Sequence, residues 1–320
     1  MLLSAGGFAI YRGFLPIYKI LIPRFGSIEK RANRERILAA WLHSKGFRRT
    51  TLEREQLSHR ILNECRSGGD FIRIVMDSVA KSQNVSRWAM YDPDNVLHIE
   101  RVKRDIPNAI FVHIIRDGRD IALSLRKMGG FSPLPWDRSE TYSLVATALY
   151  WKWMVERGRT AGHLFPEDYI EIRYEDLITH PQETLGVLGG FIDHDLDYER
   201  IRHAGLGRLS ESNSSFREEG SIDQIHPLGR WKERLSSGDV AAIESAVAEC
   251  LEQNGYELSQ SNGANRTRMR TSLMSFLYPA FLGGKFWLKH HTRVGRFANG
   301  RQKCPRWGPR FIPCQAATGS

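Results

Sequence analysis

The chain has 320 residues, 41% hydrophobic and 26% charged, enough to bury one large α/β domain or two small ones. No run approaches the roughly 18–20 apolar residues of a membrane span. The formal net charge of +10 is unevenly spread: Leu258 to Ser320 holds eleven Lys and Arg and no Asp or Glu, which leaves 35 basic and 36 acidic side chains in the body. A neutral body excludes broad coating of nucleic acid.

The first residues, MLLSAGGFAIYRGFLPIYKIL, carry no early basic cluster and no clean cleavage site, so no signal peptide is expected. Residues 28–82 read as helical. Leu57, Ile61 and Cys65, then Phe71, Ile74 or Val75, and Val79 recur at helical spacing, with a turn at Cys65 to Gly69. Pro93 and Pro107 bracket another short helix. Ile110 to Ile115 is a β-branched run too short for a helix, and it fits a parallel strand buried on both faces. Asp117-Gly118 turns the chain. A helix with Ile121, Leu125 and Met128 on its apolar face follows and ends at Gly129-Gly130.

A long helix over about 140–158 aligns Leu144, Ala148, Trp151 and Val155. A second strand at about 168–173 leads into Tyr174-Glu175-Asp176-Leu177. Thr179-His180-Pro181-Gln182 starts the next helix, which buries Leu185, Leu188 and Phe191. Residues 202–230 lack periodicity and read as a long loop. Val240, Ile243, Val247 and Leu251 mark the last core helix, stopped at Asn254-Gly255. Strands alternating with helices predict an α/β fold with a parallel sheet.

The chemistry centres on VHIIRDGRDIALSL, residues 112–125. Arg116 ends a strand, and ligands of open α/β sheets bind beyond the carboxyl ends of strands. The turn and the helix N-terminus favour an anion. Arg116 can grip a phosphate with two parallel hydrogen bonds, and Ser124 can add a hydroxyl. The same residues also suit a purely structural pairing of Arg116 with Asp117 or Asp120.

This strand-R-D-G-R-D-x-A-L-S-helix pattern resembles the second phosphate-binding motif of sulfotransferases that use 3′-phosphoadenosine 5′-phosphosulfate (PAPS). NVLHIERVKRDIPNA (95–109), YIEIRYEDLITHPQETL (169–185) and HPLGRWKERLS (226–236) agree with that family in order. The resemblance spans residues 90–255. It implies a P-loop NTPase-like sheet flanked by helices, and transfer of a sulfuryl group from PAPS to a hydroxyl or amine, without a metal. It also implies donor-binding roles for Arg116, Ser124, Tyr174, Gly229 and Arg230, with Trp231 as a packing anchor and Glu175 and Asp176 as structural ties. Asn213 to Phe216 would lie near the donor.

The family's first loop, of the form G-x-P-R-S-G-T-T, has no counterpart in residues 1–110. Ser4 to Gly7, Gly26-Ser27 and Cys65 to Gly69 each lack the preceding strand or the basic residue. The chain is therefore expected to begin after that loop, with the central first strand missing and a sulfotransferase-like domain over residues 1–257. No catalytic residue is assigned. His98 and His113 lie in apolar patterns and read as structural. A non-catalytic relative, or a membrane-surface protein on the same fold, stays open beside the enzyme. The acceptor, a small molecule, glycan or lipid, would be met by variable loops such as Phe131 to Ser139 with Trp136.

Four cysteines show neither C-x-x-C nor zinc spacing, so free thiols in a reducing, cytoplasmic setting are expected; a Cys304–Cys314 bond is the alternative. Residues 258–320 form a basic, aromatic tail. Within it, residues 266–297 suit either contact with an anionic membrane surface or packing on the domain. Gln302 to Ser320 reads as disordered.

Overall fold

The computed structural model describes residues 2–11, 13–127, 140–204, 228–259 and 265–292. The loop Phe131 to Ser139, Asn213 to Phe216, most of the 202–230 loop, Cys304, Cys314 and Gln302 to Ser320 lie outside the described residues. The chain divides into two compact units, one built on Asn108–Lys285 and the other on Gly6–Pro107.

The unit on Gly6–Pro107 is helical. Its main helices are α1 (Arg31–Leu42), α2 (Arg54–Glu64), α3 (Gly68–Ser82) and α4 (Ile99–Asp105). The expected turn is shorter than Cys65 to Gly69, because Gly68 and Gly69 already belong to α3. A reciprocal cap fixes that start: Ser67 Oγ accepts from the Asp70 amide at 3.0 Å, and Asp70 accepts from the Ser67 amide at 2.9 Å. Trp41 and Phe71 meet edge to face in the core, and Ile37, Ile61 and Val75 are fully buried. Buried Arg34 donates to the carbonyls of Cys65 (2.7 Å) and Leu62 (3.0 Å), so it satisfies the C-terminal end of α2. An isolated bridge joins Phe8 to Arg87.

The unit on Asn108–Lys285 carries the sheet. β1 (Phe111–Ile115) pairs in parallel with β2 (Tyr169–Arg173), from Phe111 opposite Tyr169 to Ile115 opposite Arg173. Parallel neighbours need a crossover. Here α5 (Gly118–Lys127) and α6 (Glu140–Gly162) supply it and pack on each other. The expected α/β alternation is therefore present, although most described residues are helical. β1 departs from the expectation of burial on both faces: Ile115 is buried but Ile114 is 44% exposed. The inward face of α5 differs too. Ala122 and Leu123 are buried, whereas Ile121 and Leu125 are half-buried and Met128 lies outside the described residues.

β2 runs into α7 (Tyr174–Thr179), then α8 (Pro181–Ile192) and α9 (Tyr198–Ala204). The N-cap of α8 is His180, whose side chain makes no capping hydrogen bond. Leu185, Leu188 and Ile192 form its buried face, with Phe191 only half-buried. A single turn, α10 (Trp231–Arg234), precedes α11 (Ser237–Gln253), which packs on α6. Ser236 caps α11 by accepting from the Asp239 amide at 3.1 Å. Val240, Ile243, Val247 and Leu251 are buried along it, and Gly255 leaves it at φ +72°. Each such side chain contributes about 1.5–3 kcal/mol by leaving water. The last helix is α12 (Asn265–His291).

Candidate functional site

The site is built where β1 ends. Asp117 is the last residue before α5 and caps it, its Oδ1 accepting from the Arg119 amide at 2.8 Å. The same carboxylate takes a two-pronged grip from the Arg119 guanidinium, with Nη2 to Oδ2 at 2.8 Å. Arg119 reaches on to Glu244 (2.6 Å) and to the Glu257 carbonyl (2.9 Å), and lies 3.8 Å from the ring centre of Trp231. Burial works to neutralise Arg119. Asp117 and Glu244 outweigh it and hold the guanidinium charged, above its ordinary range.

Asp120, one turn into α5, gathers the second half of the site. It accepts from the backbone N–H groups of Gly229 (3.1 Å) and Trp231 (3.0 Å), and from Arg116 Nη2 (3.2 Å). Trp231 adds an indole N–H to Asp117 at 3.1 Å. The Gly-Arg-Trp turn is thus tied by both carboxylates to the turn after β1, more than a hundred residues away in the chain. Gly229 sits at φ +64°, in the left-handed region that favours glycine. Trp231 is buried and is the packing anchor that the sequence suggests.

Arg116 itself lies 5.0 Å from the ring centre of Tyr174, at the start of α7. Its pairing with Asp120 is the structural alternative noted above, and that pairing is present. Arg116 and the backbone N–H groups of Gly229 and Trp231 therefore meet at Asp120, with Tyr174 against Arg116 and with Arg230, between those two turn residues, largely buried. Ser124 is half-buried on α5, four residues beyond Asp120 and so on the same helix face. Glu175 plays the expected structural part: it accepts the Asp117 amide at 3.0 Å and the Tyr256 hydroxyl at 2.8 Å. Asp176 is looser, 4.0 Å from Arg173.

Arg119, Glu244 and Tyr256 were not expected from the sequence. A signal existed for Glu244. It sits on the apolar stripe of α11, and a carboxylate on a core face needs a cation.

The two histidines are structural. His113, on β1, is buried and donates Nδ1–H to the Tyr169 oxygen at 2.6 Å, since the single Tyr169 O–H donates to Glu171 at 2.9 Å. Arg159 clamps Glu171 at 2.6 Å. Burial lowers His113 to about 4. His98, in the other unit, is packed against Tyr18 and Phe286 and is lowered to about 3, again chiefly by burial.

A family model described as "Sulfotransferase family" matches residues 20–198, more than half of the chain. This chain belongs to the sulfotransferase family. It is 24% identical over 194 residues to a protein named "Putative protein-tyrosine sulfotransferase" from Caenorhabditis elegans, which covers 58% of this chain and 72% of that relative. The matched range of the family model holds Arg116, Ser124 and Tyr174. Gly229 and Arg230 lie beyond it, in a turn that the Gly229 and Trp231 amides bond to Asp120. Cys65 and Cys250 are free and buried, and burial raises both thiols, to about 12 and about 11.

Proposed function

We propose that this sulfotransferase-family chain binds PAPS with its 3′-phosphate at the turn after β1, and passes the sulfuryl group to a hydroxyl or amine acceptor. The observation that carries the reading is the meeting of Arg116 and the backbone of the Gly229–Trp231 turn at Asp120, with Tyr174 against the Arg116 guanidinium. On this reading the fold is P-loop-like, with β1 and β2 as two of its strands.

The residues suit a nucleotide phosphate. Arg116 projects from a strand end onto an aromatic face, which presets a planar fork for two phosphate oxygens. Ser124 offers a hydroxyl from the same helix face. Gly229 lets backbone come close, and Arg230 adds charge on the turn. Asp120 does not oppose an anion as a bare carboxylate would, because two backbone N–H groups and Arg116 already share its charge. When bound, the donor supplies the sulfuryl group and a phosphate leaving group. The chain's part is to position and to stabilise charge, as in phosphoryl transfer. Neither His98 nor His113 receives the acceptor's proton on this reading, since both are packed away. The name of the worm relative adds a tyrosine hydroxyl as the first acceptor to assay.

A second reading is nucleotide binding without turnover. It rests on residues 13–107, whose described secondary structure is helices and turns with no strand beyond the Phe8–Arg87 bridge. No strand there leads into a glycine-rich turn for the sulfonate end of the donor.

Calorimetric titration with adenosine 3′,5′-bisphosphate tests the first assignment. Wild type binds, and Arg116→Ala weakens binding by roughly tenfold to a hundredfold, the range of a charge-assisted contact. Ser124→Ala has a smaller effect in the same direction. Equal affinity for wild type and Arg116→Ala refutes the 3′-phosphate site. Transfer from labelled donor to a tyrosyl peptide or an amine then separates enzyme from silent binder.

A further inference from the structure

Helix α12 is apolar on two opposite faces. Tyr278 and Leu282 turn inward and are buried, and Ser275 Oγ donates to the Ala246 carbonyl of α11 at 3.3 Å. On the other side Leu273, Phe276, Leu277 and Phe281 stand in solvent; Phe276 is 80% exposed and Leu273 58%. At about 100° per residue these four fall within an arc of about 140°, on the side away from Tyr278 and Leu282. The arc is wide and continuous, and among the described residues nothing removes it from water. Such a patch marks an interaction surface.

Charge selects the partner. The helix sequence, Asn265–His291, contains Arg266, Arg268, Arg270, Lys285 and Lys289 and no acidic residue, and none follows as far as Ser320. Lys285 is exposed at the flank of the apolar arc. A protein partner with an ordinary mixed surface would not call for so one-sided a charge. An anionic lipid surface calls for just this pairing of an apolar stripe, with Phe among its members, and basic flanks. Spanning is excluded for the described part, where no helix is long and apolar enough to cross a membrane.

We propose that the outward face of α12 docks this protein on an anionic membrane surface, with Leu273, Phe276, Leu277 and Phe281 inserting between headgroups and Lys285 meeting lipid charge. The proposal is independent of the donor site.

Co-sedimentation of the full chain tests it, with phosphatidylcholine vesicles that contain or lack phosphatidylserine. The chain pellets with the phosphatidylserine vesicles and is released by salt. The double variant Phe276→Ser, Leu277→Ser loses about tenfold or more in apparent affinity, because it removes inserting area without touching the buried face. Both positions are exposed, so its thermal melt matches wild type. A chain ending at Thr292 keeps stripe-dependent binding. Three results overturn the proposal: no partitioning, partitioning unchanged in the double variant, or a wild-type dimer that the double variant converts to monomer without any vesicle binding. The second would give the membrane contact to basic charge alone, and the third would assign the face to a second copy of the chain.

Discussion

Two arginines three residues apart, Arg116 and Arg119, have opposite duties. Arg116 is a partly accessible residue at the strand end, and Arg119 is buried between two carboxylates and an indole ring. The R-D-G-R-D spacing does not tell them apart, since either could face an anion from the turn. What separates them is a partner 125 residues away, Glu244, whose place on a core face only the folded chain makes meaningful. Removing the cation leaves Asp117 and Glu244 buried without their main counter-charge. Arg119→Ala should therefore lower the unfolding free energy by about 3–5 kcal/mol. Arg119→Lys should recover little, because an ammonium cannot make the two-pronged contact with Asp117 while also reaching Glu244. Urea unfolding of the two variants checks this. A loss below about 1 kcal/mol in the alanine variant would mean that the ion network has little net effect.

The elements show where periodicity informs and where it misleads. Helices α6 and α11 were legible because their buried residues are apolar and evenly spaced: Leu144, Ala148, Trp151 and Val155 in one, Val240, Ile243, Val247 and Leu251 in the other. In helix α5 hydrophobic spacing points to the wrong phase. Its inward row begins with a charged residue, Arg119, and continues through Ala122 and Leu123, so the row Ile121, Leu125 looked better on hydrophobicity alone. The β1 strand is legible in the sequence but the exposure of Ile114 is not, because a β-branched run reads the same whether one face or both are covered. The spacing did place Arg116 at the strand end and Ser124 on the following helix. It could not supply Asp120 as the hub, since a surface aspartate and a hub aspartate look alike in sequence.

Close packing of α5 on α6 makes a further expectation at this scale. A Cβ added to Gly118 would lie 2.5 Å from the Trp151 ring. Gly118→Ala should force the two helices apart at the site's edge and cost about 1–3 kcal/mol, more than the helix propensity of alanine returns. It should also weaken bisphosphate binding, because Arg116, Asp117 and Asp120 move with α5. Joint measurement of urea midpoint and bisphosphate affinity tests the link; unchanged values for both would show that the ring simply gives way.

Across the whole molecule, each compact unit holds a histidine that folding keeps neutral. His113 lies on β1, held by Tyr169 and faced by Glu171 and Arg159, and is lowered from 6.5 to about 4. His98 lies in the other unit with Lys19, Arg101, Lys289 and His290 around it, and is lowered from 6.5 to about 3. Both depressions mean that the unfolded chain binds more protons than the folded one in mildly acid solution. Stability from these groups is complete above pH 6.5 and is lost as pH falls from 6.5 towards 4, with His98 extending the loss towards 3. Each histidine that protonates only on unfolding adds a slope of up to about 1.4 kcal/mol per pH unit in that window. Glu171 enters later, because Arg159 and Tyr169 hold it below its ordinary 4.5 against the effect of burial, so its contribution is lost only in stronger acid. Melting temperature should accordingly hold level from neutrality to about pH 6.5 and then fall. His113→Gln and His98→Gln, whose amides stay neutral, should each flatten the fall between pH 6.5 and 4, even where they lower stability at neutral pH. A wild-type curve that begins to fall only below about pH 4.5 would assign acid unfolding to the carboxylates and leave the histidines without a part in it.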